Sequence, residues 1–421
     1  MVTTFDLPRF TRAAIAAFAA TLLGIAACAS VPPLSAVRPP PATATVPPSR
    51  TPPPAPAVPE APASTAATTT PLAPPPGVIV SAAPVPAPVR PIDSVDAPAR
   101  TPGEGIALVL PLESPVYAHA ADAVRTGFLA AADRAGARSR VTVIAHGDDG
   151  VLAAMEAARR ANVALVVGPL TRDDVKTVLA MSPERPRMLA LNQSEDGVAL
   201  PDDVYALTLS VESDAALLAK VAQADGVRSV AMVVSTGSLQ QRFAAAFAAE
   251  WRRSGAAPPR EYHFDPSPDM LALLRGELSA RPADAVLLSV DSDQASLAKS
   301  FLPPVPVYAV SQIADDLPTP ISHDLDRVRY IEIPWLADPY SPGLAGVPHP
   351  NYSNAVLDRL YALGLDAFAV AQMLSEPVPP QRIELDGATG HLSLSGSRTF
   401  ARQGRLMEIR DGRAQLFSSQ Q

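Results

Sequence analysis

From residue 105 onward the chain alternates between two hydrophobic patterns. Short runs, continuous and mostly apolar except at 260–264, occur at 106–112, 141–145, 164–169, 187–191, 229–235, 260–264, 285–290 and 305–310. Runs of this length, rich in Val, Ile and Leu, predict strands, and the continuous ones predict strands covered on both faces. Between them lie longer stretches with apolar residues at helical spacing: 116–137, 151–162, 171–182, 212–225, 239–254, 269–280 and 293–301. In the first of these, Val124, Phe128 and Leu129 fall on one face. Alternating strands and helices predict an α/β fold with mainly parallel sheets. The series restarts near residue 212, which predicts two lobes. The stretch 330–336, with Trp335, starts a crossing back, and the apolar helix 354–374 is long enough to pack on the first lobe. The glycine-punctuated, alternating tail 383–417 predicts hairpin strands.

The first quarter of the chain has a different pattern. Residues 31–102 hold 23 of the 48 prolines, no aromatic residue and few charges. Such a segment cannot bury enough apolar surface to offset its ordering entropy. Proline fixes φ and removes a donor, so extended polyproline II is expected, with a reach of about 220 Å at full extension. Ahead of it, Arg9 and Arg12 precede an apolar stretch, 13–25, that ends in small residues and Cys28, the chain's one cysteine. This is the layout of a secretory signal, too short for a comfortable membrane span. It resembles the bacterial lipobox, which implies cleavage between Ala27 and Cys28 and lipidation of Cys28. Ala29 in place of aspartate implies an outer-membrane destination, on the periplasmic face. With one cysteine, the exported domain is expected to fold without an internal disulfide.

Five further motifs carry a resemblance. Arg125-Thr126-Gly127-Phe128 lies in the first helix and Val166-Val167-Gly168-Pro169-Leu170 at the third strand. Ile333-Pro334-Trp335-Leu336, Arg359-Leu360-Tyr361-Ala362-Leu363-Gly364-Leu365-Asp366-Ala367 and Gly387-Ala388-Thr389-Gly390-His391-Leu392 follow in the last third. The first two resemble the type I periplasmic binding-protein fold. The last three, in this order, resemble the penicillin-binding-protein activator lipoproteins of the outer membrane. The resemblance implies 1–27 as signal peptide, 28–104 as lipidated cysteine plus linker, 105–211 with 335–382 as lobe 1, and 212–334 with 383–421 as lobe 2. Better-known members carry a helical-repeat domain where this chain has its proline-rich segment.

Net charge of −8, with 34 basic and 42 acidic residues and no basic stripe, argues against a nucleic-acid partner. Six histidines are scattered without zincin spacing, so no metal site is expected. Ser296-Leu297-Ala298-Lys299 matches S-x-x-K, but the companion S-D-N and K-T-G motifs are absent, so a solvated helix face is the expected reading. His146-Gly147-Asp148-Asp149-Gly150 is expected to form a strand-to-helix turn and cap. No catalytic residue and no cofactor are predicted. A ligand of such a fold sits outside the carboxyl ends of the strands. That places Glu113, Ser114, Gly168, Pro169, Asn192, Gln193 and Ser194 on one side of a cleft, and Ser235, Thr236, Asp291 and Gln312 on the other.

The resemblance implies a non-catalytic activator of a bifunctional penicillin-binding protein of the inner membrane, regulating peptidoglycan synthesis. The alternative is a periplasmic receptor that binds an amino acid, peptide or cell-wall fragment between the lobes.

Overall fold

The computed structural model describes residues 103, 105–181, 185–193, 199–315, 323–352 and 354–418. The chain separates into Met1–Arg90 and Pro91–Gln421. The signal sequence, Cys28 and the proline-rich segment lie outside the described residues.

The first sheet is parallel, in the order β2-β1-β3-β4-β5. Its strands are β1 (Ile106–Leu110), β2 (Val141–Ala145), β3 (Leu165–Val167), β4 (Met188–Ala190) and β5 (Val204–Ala206). Every residue of β1 is buried, because both faces of the sheet are covered. Ile106, Leu108 and Leu110 share a core with α1 (Ala118–Arg134), while Ala107 and Val109 face α2 (Val151–Arg160) and α3 (Arg172–Leu179). The period of two sends alternate residues to opposite cores, which is why the run carries no polar position. The three-residue β5 is the strand that periodicity misses, being too short to show alternation.

The second sheet repeats the order with β7-β6-β8-β9-β10 and adds two antiparallel strands, β14 and β15, beyond β10. Its parallel strands are β6 (Val230–Val234), β7 (Arg260–His263), β8 (Ala285–Ser289), β9 (Val307–Ala309) and β10 (Val328–Glu332). The helices α4 (Val211–Ala224), α5 (Ser238–Arg253), α6 (Pro268–Ala280) and α7 (Ser292–Ser300) alternate with them. One core holds Phe243, Phe247 and Trp251 of α5 against Val233, Leu287 and Tyr308 of the sheet.

After β10 come the short α8 (Pro334–Ala337) and the long α9 (Ala355–Leu374). α9 packs along α1, with Phe128 edge-on to Phe368 at 5.3 Å, a geometry that adds about 0.5–1.5 kcal/mol beyond area burial. The family-like glycines explain the close approach. A Cβ on Gly127 would lie 2.0 Å from the Tyr361 carbonyl oxygen, and one on Gly364 would lie 2.2 Å from that of Val124. Only hydrogen fits between these two backbones.

The tail divides where the sequence pattern did not indicate. β11 (Arg382–Asp386), β12 (His391–Ser395) and β13 (Ala401–Gln403) form a separate antiparallel sheet. Its inward residues Ile383, Leu392, Leu394 and Phe400 join the core of β1, α1 and α9. Thr399 also bridges Ala206 of β5. Only β14 (Arg405–Arg410) and β15 (Arg413–Leu416) belong to the second sheet. The boundary expected at 382/383 therefore moves to Gly404, which sits between β13 and β14. A Cβ there would lie 2.5 Å from Ile331 and 2.7 Å from the Glu332 carbonyl oxygen. Alternation located the strands but could not say which core their apolar face joins.

Among the described residues, no helix is long and apolar enough to cross a membrane.

Candidate functional site

The three C-terminal motifs, separate in sequence, meet at one junction between the lobes. Ile333, Trp335, Tyr361, Ala362, Leu365 and Ala388 share a buried cluster, closed by Leu344 of the α8–α9 loop. The Trp335 N–H donates to the Ala388 carbonyl at 3.0 Å. Asp366, buried on α9, accepts from the backbone N–H groups of Ala388 and Thr389, both at 2.7 Å, and from the Thr389 hydroxyl at 2.5 Å. Burial pushes this carboxyl up to about 6, against the opposing pull of the bonds from Thr389 and Ala388.

Arg359, two residues before Tyr361 on the same helix, reaches the second lobe. Its guanidinium donates to Glu332 at 3.1 and 2.6 Å and to Asp315 at 2.8 and 2.7 Å. Burial works to lower the Arg359 pKa, but the bonds from Asp315 and Glu332 outweigh it and raise it. A second tie lies alongside: Arg402 of β13 donates to Asp214 of α4 at 2.6 Å. Burial raises the Asp214 carboxyl, with Arg402 opposing. A third ties the helices that border the cleft. Glu212 of α4 accepts from Arg242 of α5 at 2.7 Å and stands 3.8 Å from Arg172 of α3. Burial works to raise Glu212, yet the bonds from Arg242, its own N–H and Ser210 hold it below the ordinary value.

None of these bridges was predicted. The signal was present: Arg359 and Asp366 are charges within a mostly apolar helix, and buried charges need partners. Their partners come from other segments, so spacing could not supply them.

Aromatic rings run from this junction to the surface. Trp335 stacks on His349 at 4.1 Å and tilts against Tyr361 at 5.2 Å. Tyr340, 84% exposed, lies 5.6 Å from His349.

The expected cleft residues form two local groups. In lobe 1, buried Ser114 accepts from the N–H groups of Val116 and Tyr117 at 3.2 and 3.1 Å, which holds the turn ahead of α1. Glu113 is exposed. Gly168 has φ +110, and a Cβ there would lie 2.1 Å from the Val109 carbonyl oxygen. Buried Pro169 follows it. Asn192 donates to the Leu170 carbonyl and accepts from the Gln193 N–H, both at 3.0 Å. Gln193 reaches the Thr208 hydroxyl at 3.4 Å. Ser194 lies outside the described residues. In lobe 2, Asp291 accepts from Gln240 at 2.6 Å, and Thr236 is exposed. The hydroxyl of Ser235 and the Oε1 atoms of Gln294 and Gln312 are buried with no hydrogen-bond partner among the described residues. Gln294, on the first turn of α7, was not predicted. In this arrangement Ser114, Asn192 and Asp291 are committed to local structure.

Ser296 of the S-x-x-K match donates to Asp324 at 2.6 Å. The 146–150 segment forms the expected turn between β2 and α2, with Gly150 as the N-cap and no side-chain cap bond, and the ring of buried His146 is bonded to the Gly147 carbonyl at 2.8 Å. Among the described residues, no group of three or more His, Cys, Asp or Glu could hold a metal ion.

Comparison with known proteins agrees with this architecture. The solved C-domain of LpoA from Haemophilus influenzae, described as a regulator of PBP1A, superposes with a TM-score of 0.65 at 23% identity, over 75% of this chain and all of that one. A structure from Chromobacterium violaceum, described as a "putative branched-chain amino acid ABC transporter", gives 0.64 at 34% identity, over 73% of this chain and 100% of its own. The fold is that of the type I periplasmic binding proteins. Among curated proteins, the penicillin-binding protein activator LpoA of H. influenzae is 25% identical over 262 residues, 61% of this chain and 45% of that protein. LpoA of Edwardsiella piscicida is 26% identical over 294 residues, 60% and 42% respectively. The chain thus spans less than half the length of these curated relatives. The family model described as "LppC putative lipoprotein" matches residues 82–412. A match over most of the chain, including all three motifs of the junction, places this protein in the LppC lipoprotein family.

Proposed function

We propose that this chain is an outer-membrane lipoprotein, anchored through Cys28 on the periplasmic face, that activates an inner-membrane bifunctional penicillin-binding protein by binding it. It contributes no catalytic residue of its own. The observation that carries this reading is the family match over 82–412, among whose curated relatives are penicillin-binding protein activators. The buried bridges of Arg359 and Arg402 support it, since a binding module gains from lobes held in one arrangement. Activation requires tighter binding to the active state of the synthase than to the inactive one. The proline-rich segment raises the effective concentration of the folded unit at its partner when its reach matches the gap.

The test titrates the full chain, in detergent, against solubilised bifunctional penicillin-binding proteins of the same cell. Saturable binding with faster glycan polymerisation or crosslinking supports the proposal. A folded chain that binds none of them overturns it in favour of the receptor reading, which then predicts a melting temperature that rises with an amino acid, peptide or cell-wall fragment.

A further inference from the structure

The second lobe holds a cavity of about 750 Å³, within the range of small-molecule sites, roughly 300–1,000 Å³. It opens where β9 and β10 begin, opposite the strand ends that border the cleft. The end of α7, the 304–306 segment and the β14–β15 turn close its sides.

Its charges fall into two sets. The first is anchored. Glu408, 5% exposed, accepts from both Arg329 and Arg410. Arg329 also donates to Asp225 at 2.8 Å, and Asp225 in turn accepts from the Tyr308 hydroxyl at 2.6 Å. These two guanidinium groups are compensated by the protein itself. The second set is free. Lys299 and Arg327 line the cavity, and their side chains have no ion-pair or hydrogen-bond partner among the described residues. The Asp411 carboxylate is likewise unpaired, and Asp326 uses only Oδ1, accepting the Asp411 N–H at 2.7 Å.

Arg327 adds a backbone observation. Its φ is +65°, and its N–H donates to the Ile409 carbonyl at 2.7 Å. Glycine adopts this conformation at lower cost than any residue with a Cβ. The chain nevertheless keeps an arginine there, at the rim of the cavity. Strain retained at a side chain with no internal partner points to an external one.

A simple anion would meet Asp326 and Asp411, and a simple cation would meet Lys299 and Arg327. A ligand carrying both signs satisfies all four. We propose that this cavity binds a short zwitterionic peptide, its carboxylate at Lys299 and Arg327 and its ammonium at Asp326 and Asp411. The site is separate from the cleft, and its test does not depend on the proposed synthase partner.

Calorimetric titration of the full chain in detergent with trialanine tests this, beside trialanine blocked by N-acetylation or by C-terminal amidation. The expected result is one saturable site, with either block weakening binding at least about tenfold, the equivalent of one lost charged contact. Arg327→Gly relieves the backbone and keeps the fold, so its melting temperature should hold or rise while affinity for trialanine falls at least about tenfold. Lys299→Gln should weaken the free and N-acetylated peptides but not the amidated one. No binding up to about 10 mM overturns the proposal, that being weaker than useful recognition. So do equal affinities for free and blocked peptides, unchanged affinity in Arg327→Gly, or tighter binding of inorganic phosphate than of trialanine.

Discussion

Replacing Arg359 by alanine tests whether the inter-lobe junction is a buried electrostatic bolt or a solvated ornament. The guanidinium makes four hydrogen bonds to two carboxylates, and its side chain is 11% exposed against 7% for Glu332 and 16% for Asp315. Removing the cation strands both carboxylates in a site that water barely reaches. Deleting one partner of a buried pair costs about 3–5 kcal/mol, because the remaining charge is uncompensated. For a unit of roughly 300 residues the unfolding entropy is about 0.6 kcal/mol/K, so the melting temperature should fall about 5–8 °C. Thermal and urea unfolding at neutral pH measure this. The penalty comes from stranded charge rather than lost contact, so neutralising the partners should reverse it. The variant Arg359→Met with Glu332→Gln and Asp315→Asn should recover most of the lost stability. A cost below about 1 kcal/mol for Arg359→Ala would place the bridge in the class of exposed ion pairs and refute the reasoning. So would a combined variant no more stable than the single one.

Further expectations follow from the same geometry. Gly364→Ala puts a methyl group into the Val124 carbonyl and should cost about 1–3 kcal/mol or more by forcing α1 and α9 apart; an unfolding midpoint unchanged from the parent would contradict the close crossing. Asp366 has its folded pKa raised to about 6, so its contribution to stability is full below about pH 4 and is lost as pH rises to about 6. The stability difference between the chain and Asp366→Asn should therefore shrink over that interval by up to about 3 kcal/mol, and a difference independent of pH counts against a buried, desolvated carboxyl. His391 is held above its ordinary value by Asp386 and Glu384, so its NMR titration should move down in Asp386→Asn with Glu384→Gln; no movement rules out the bridge. Cys28→Ser should release the protein from the membrane fraction, and unchanged fractionation would exclude lipid anchoring through this residue.

Much of the fold was legible because local physics sets it. The continuous apolar run of β1 announces burial on two faces, and the restart of the strand–helix series near residue 212 announces the second lobe. Tertiary structure decided what depends on partners distant in sequence. The alternation in β12 is the same whether its apolar face meets one lobe or the other, and only contact with α9 assigned it to the first. Arg359 and Asp366 were visible as charges in a mostly apolar helix, but Glu332 and Asp315 on the one hand, and the Ala388 and Thr389 amides on the other, are brought to them by the fold. The cleft residues show the same limit from the opposite side. Ser114 and Asn192 are polar at strand ends, as a ligand site requires, yet their hydrogen bonds go to neighbouring backbone. A sequence specifies which groups must find a partner, because an unpaired buried polar group is costly. Which partner they find is set by packing of the whole chain.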